Sequence, residues 1–221
     1  MAGCGCGTRR FDGMSAGFRR ALWIVIAINA AMFVVEMTAG ALAGSQALKA
    51  DALDFLGDTF TYAISLFVIG MSLRVRATAA LLKGVSLAAM GLFVLGSTAH
   101  QVLVLGVPSA PVMGIVGVLA LCANMASVLV LMRYRDGDAN VRSVWLCSRN
   151  DAFGNVAVVV AAGAVWASGS AWPDLVVAGT LASLFLWSAF HIVRQALAER
   201  AEAAAGEAAP RLAGRQARSG R

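Results

Sequence analysis

The chain has 221 residues and a formal net charge of +6, with 59% hydrophobic and only 14% charged residues. A water-soluble domain of this length needs a far more polar skin, so the composition points to lipid and excludes an ordinary soluble globule. The basic excess is divided among short segments flanking apolar runs, which excludes a nucleic-acid footprint: no nucleic-acid partner is expected.

A helix needs about 20 mostly apolar residues to cross a bilayer. Six stretches meet that length, at roughly 21–43, 46–72, 80–105, 110–132, 141–167 and 174–197. They are too long, and too lacking in alternation, for barrel strands, and only helices or closed barrels satisfy the backbone in lipid. The fold class expected is therefore all-α: a polytopic membrane protein of six transmembrane helices. The first stretch exceeds the core of a secretory signal, and no clean small-residue cleavage site follows it, so it reads as the first span. Residues 1–19 form an N-terminal segment, 20–198 the transmembrane domain, and 199–221 a short basic tail expected to extend the last helix briefly and then disorder.

Charge placement gives the orientation. Of the 18 Lys and Arg residues, 16 fall in four places: before helix 1, between helices 2 and 3 (Arg74, Arg76, Lys83), between helices 4 and 5, and at the end of the chain from Arg194 onward. The other face is almost free of charge, the 5–6 turn carrying only Asp174. Basic segments stay in the cytoplasm, so both termini are expected inside, as an even number of spans requires. The expected setting is a cell membrane crossed several times, the bacterial inner membrane.

Ionisable residues within a span cost about 2.5–3.5 kcal/mol each on insertion scales, so each must face a polar path, pair, or bind an ion. Helix 1 carries Glu36, helix 2 carries Asp51, Asp54 and Asp58, and helix 5 carries Arg149 and Asp151. Asp54 and Asp58 stand at i, i+4 on one face of helix 2, as do Cys147 and Asp151 on the antiparallel helix 5. Two such pairs at similar depth can offer four O and S donors to one point, the tetrahedral arrangement zinc prefers. A single buried Asp, or a lone Cys, is ordinarily a packing residue; three carboxylates on two facing spans fit that description less well. Asp51 projects close to Asp54 on a helical wheel, or lies toward the outer mouth near Ser45. Arg149 points nearly opposite to Cys147 and Asp151, either snorkelling toward the cytoplasmic surface or pairing with Glu36 across helices.

The run from Asn29 to Glu36, Gly40, and Gly44 through Asp58 resembles the first two helices of the cation diffusion facilitator family. Asn124, the stretch Asp138–Trp145, and Cys147 through Val156, including Asn155, are similar to that family's fourth and fifth helices. The likeness covers about residues 20–200 in order. It implies a homodimeric exporter of Zn²⁺ or a related divalent cation that exchanges metal for protons across the lipid bilayer. Asp54, Asp58 and Asp151 fall on the family's transport-site positions. Cys147 stands where the family usually has His, and Asp51 falls on an acidic position beside the site. Glu36, Arg149 and Asn155 are accessory candidates. Thiolate in place of imidazole favours Zn²⁺, Cd²⁺ or Cu(I) over Mg²⁺ or Mn²⁺. The chain departs from the family in having no His-rich stretch between helices 2 and 3, and it reads as a short member without the usual C-terminal cytoplasmic domain.

The four ligands fully ionised would carry −4 against a +2 ion, so an empty site should hold protons that the metal expels on binding. No resident cofactor is implied; the metal is cargo. Cys4 and Cys6 form a Cys-Gly-Cys in the reducing cytoplasm, a candidate for capturing a soft ion. His100 and His191 are expected not to be ligands. Nothing supports an enzyme, since there is no nucleophile–base–orienter set. The alternatives are the same transporter with Co²⁺, Cd²⁺, Mn²⁺, Fe²⁺ or Ni²⁺ as cargo, and a non-transporting sensor or assembly module built on the same helical frame.

Overall fold

The computed structural model describes residues 15–68, 71, 73–104, 106–134 and 139–219; the side chains at 68, 73, 104, 139–147, 150 and 202–219 lie outside the description. Six helices account for nearly all of it: α1 Ala16–Ala43, α2 Gln46–Val68, α3 Leu73–Val104, α4 Ala110–Met132, α5 Ala139–Ser168 and α6 Trp172–Ser219. There is no strand among the described residues.

Local chemistry sets the boundaries. Ser15 caps α1, its hydroxyl accepting from the Phe18 N–H at 3.1 Å, which satisfies one of the donors a helix start leaves open. Gly44 ends α1 in the left-handed conformation, φ 70°, where a side chain would strain the turn. α4 begins with a proline in its first turn, where the missing N–H costs nothing.

Five of these helices are long and apolar enough to cross a membrane by themselves among the described residues. The exception is α2, because Lys49, Asp51, Asp54 and Asp58 interrupt it. It is sheltered instead, packing against α1, α3, α5 and α6. The arrangement reverses that of a soluble protein. Leu42, Leu103, Phe67, Phe153 and Trp166 point outward, while Asn29, Glu36, Asp51, Asn124 and Asn155 are buried. Only a helix surrounded by other helices can carry such a polar face through lipid. The chain is a multi-pass membrane protein with a polar interior.

Two departures from the sequence expectation matter. α3 starts at Leu73 rather than near residue 80, so Arg74 and Arg76 as well as Lys83, grouped from sequence with the 2–3 connection, lie on the helix. α3 can run close to α6 because Gly84 faces it: a Cβ there would come within 2.7 Å of a Val193 methyl. The segment 199–221, expected to leave helical structure early, continues α6 through Ser219. Its Ala-, Glu- and Arg-rich composition has high helix propensity.

Candidate functional site

A cavity of about 420 Å³ opens beside the middle of α2. Its walls come from α2 (Asp54, Asp58, Thr61), α3 (Lys83, Met90), α5 (Asp151) and α6 (Ser188). Asp54 and Asp58 reach it together because one helical turn separates them. Asp151 arrives from α5 and lies against both. From there the cavity extends toward Ile64, Leu82 and Ile192, which lie near the end of the bundle that carries the basic residues.

Asp58 is held in place. It accepts a hydrogen bond from the Tyr62 hydroxyl one turn later on α2. Tyr62 is fully buried, in the apolar cluster of Phe18, Leu22, Val25 and Leu131. Its hydroxyl also stands 3.3 Å from Ser148 Oγ on α5. Tyr62 therefore fixes one acid of α2 and ties that helix to the helix carrying Asp151. Its i, i+4 spacing from Asp58 was the only sequence signal for this.

The other predicted residues divide. Asp51 does not face the cavity; it is 2% exposed and closes a buried polar chain across three helices. The Asn124 amide of α4 donates to Asn155 Oδ1 at 2.7 Å, and Asn155 of α5 donates to Asp51 Oδ2 at 2.7 Å. Glu36 of α1 is fully buried and adjoins the Asp51 carboxyl, and among the described residues no N–H or O–H group bonds to either of its oxygens. Arg149 is exposed. The Cys147 side chain, and Cys4 and Cys6 altogether, lie outside the described residues.

Asp174, counted from sequence as a loop charge, is buried at the start of α6 and caps α2. Its carboxylate accepts from Ser45 Oγ at 2.6 Å, from the Gln46 N–H at 2.8 Å and from the Ala47 N–H at 3.0 Å. Ser45 Oγ in turn accepts from the Leu48 N–H at 3.1 Å. An acid from another helix thus satisfies the open N–H groups of α2 and meets the positive end of its dipole. No local pattern announces a cap 128 residues away.

Chemically, the cavity presents three carboxylates and an ammonium to a space large enough for water or a hydrated ion. Among the described residues no three His, Cys, Asp or Glu side chains are gathered tightly enough to enclose a metal on their own.

Comparisons with known proteins agree with this architecture. The family model for the cation efflux transmembrane domain matches residues 22–199. The metal cation efflux system protein CzcD of Cupriavidus metallidurans is 26% identical over 174 residues, 73% of this chain and 55% of that protein. The zinc transporter ZitB of Yersinia pestis is 27% identical over 203 residues, 84% of this chain and 64% of that protein. The chain therefore spans somewhat over half the length of these curated relatives. With six helices in the matched region and acids of α2 and α5 on one cavity, the chain belongs to the cation efflux family, the cation diffusion facilitators.

Proposed function

We propose that this protein exports a divalent metal cation, Zn²⁺ foremost, in exchange for protons, and that Asp54, Asp58, Asp151 and Cys147 hold the ion midway across the membrane. The observation that carries the reading is the meeting of three carboxylates from two helices on one cavity, in a bundle whose other buried acids are sealed from it. Helical spacing brings Cys147 to the face of α5 that bears Asp151, one turn nearer the basic end. Oxygen with one sulfur is a donor set suited to Zn²⁺, Co²⁺ or Cd²⁺ and poorly suited to Mg²⁺.

Exchange follows from charge. Four ionised ligands around one divalent ion leave an excess of two negative charges, and an empty ionised site leaves four; neither is tolerable in low dielectric. Protons must therefore occupy the ligands when the metal leaves, and metal binding must expel them. The relatives named for zinc and for metal cation efflux support metal as cargo, and a homodimer is the expected assembly.

Purified protein in proteoliposomes, offered a panel of Zn²⁺, Co²⁺, Cd²⁺, Mn²⁺, Fe²⁺ and Ni²⁺ with and without a pH gradient, tests the reading. Saturable Zn²⁺ flux that acidifies the opposite compartment is expected. Absence of flux for every metal, from protein that is folded and inserted, would overturn it.

A further inference from the structure

Lys83 is the residue whose position the transport scheme leaves unexplained. It lies about 15 Å along α3 from Leu73, among Leu82, Leu87 and Met90, and lines the same cavity as Asp54, Asp58 and Asp151. An ammonium at that depth is expensive unless it reaches water or a counter-charge. Its Coulombic partners are Asp54 and Asp58. The remaining wall is contributed by α6, whose Phe185, Ser188 and Ile192 bring no charge. Among the described residues Lys83 is thus the one cation of the cavity lining, set against three carboxylates.

Resting on the transport reading above, we propose that Lys83 is a resident counter-cation of the transport cavity, compensating Asp54 and Asp58 while no metal is bound and yielding to the metal when it arrives. A lysine suits this role better than an arginine. Its charge is compact and its four-carbon stem flexible, so the ammonium can swing along the cavity wall without fixed bidentate partners. The charges are consistent with it. Three carboxylates, one ammonium and one divalent ion sum to zero if the Cys147 thiol keeps its proton, and to one negative charge if it does not. Without Lys83 the loaded site would carry one further negative charge in either case. The same ammonium repels a divalent ion that has settled on the carboxylates, so it weakens binding and speeds release. A carrier benefits from that trade, because an ion held too tightly is not delivered.

The experiment compares wild type with Lys83→Met, which keeps the stem and removes the charge, with Lys83→Gln as a second neutral variant should the first fold poorly, and with Lys83→Arg. Zn²⁺ affinity is measured by calorimetry on nanodisc-embedded protein, and KM and turnover by proteoliposome flux. Removing one like charge near the site is expected to tighten Zn²⁺ binding and lower KM about tenfold, with turnover falling several-fold. Lys83→Arg should move both values back toward wild type. Unchanged affinity and turnover in the neutral variants, or weaker Zn²⁺ binding, would overturn the proposal and leave Lys83 as a charge that only sets topology. Failure of the transport reading itself looks different: wild type would then show no Zn²⁺ binding that depends on Asp58.

Discussion

Asp51 and Asp54 stand three residues apart on α2, yet they belong to different chemistries. Asp54 joins Asp58, Asp151 and Lys83 on the wall of a cavity, its carboxyl available to whatever enters. Asp51 is sealed against Glu36 and takes its hydrogen bond from Asn155, which is itself held by Asn124. The first group keeps ligand capacity unspent; the second uses it to join α2, α4 and α5. A buried polar network that is satisfied from within fixes helices. Acids left open to water and balanced by a mobile cation can exchange partners. One helix therefore carries both a buried network and a cavity wall, and rotation by about 60° around its axis decides which.

The largest expected effect tests the cavity half of that contrast. Asp58→Ala removes a carboxylate that no neighbour can replace and should reduce metal flux by more than about 100-fold, while the protein still reaches the membrane in normal amount. Wild-type flux from inserted Asp58→Ala would show that the cavity is not the transport site. Asp51→Ala should divide the two measurements the other way. It leaves the Asn155 amide buried without its acceptor, at a cost of about 1–3 kcal/mol, seen as a lower midpoint in SDS titration. The Zn²⁺ affinity of the fraction that remains folded should stay within a few-fold of wild type. If Asp51→Ala instead loses Zn²⁺ binding as fully as Asp58→Ala, the two groups form a single site and the contrast collapses.

Much of this was legible from residues alone, because it depends on spacing within one helix. The six apolar runs and the shared face of Asp54 and Asp58 follow from helical periodicity and insertion cost. What could not be read depends on how helices are rotated and set against each other. Lys83 reads as one more basic residue near a membrane boundary, since only the rotation of α3 against α2 and α5 sets it on the cavity with the acids. Tyr62 looked like an aromatic in an apolar run, and only its packing next to Ser148 reveals a tie between α2 and α5. Asn124 and Asn155 each have unremarkable sequence surroundings; their meeting at 2.7 Å requires the register between α4 and α5.

Asp174 extends the scaffold half of the comparison to the far end of α2. Asp174→Ala removes the acceptor for Ser45 and for two backbone N–H groups. Loss of a cap of this kind costs about 1–2 kcal/mol. The effect should appear as a lower SDS-titration midpoint and as faster amide exchange confined to the first turn of α2. Uniform exchange across all helices would mean that Asp174 does not act as a cap.

The smallest expected effect falls on Tyr62, where the two halves meet. Tyr62→Phe keeps the ring in its apolar cluster and removes only the hydroxyl that Asp58 accepts from and that neighbours Ser148. A hydrogen bond to a charged acceptor is worth about 1.5–3 kcal/mol gross, but here the cavity's water can replace the lost donor, so the net change should be nearer 0.5–1 kcal/mol. That corresponds to a rise in KM for Zn²⁺ of roughly two- to fivefold at nearly constant turnover. The direction distinguishes two roles for the hydroxyl. If it orients Asp58 toward the metal, its loss weakens binding, as expected. If it competes with the metal for the carboxylate, Tyr62→Phe will bind Zn²⁺ more tightly. Tyr62 would then belong with Lys83 among the groups that make the cavity give up its ion, rather than with Asn155 among those that hold the helices in place.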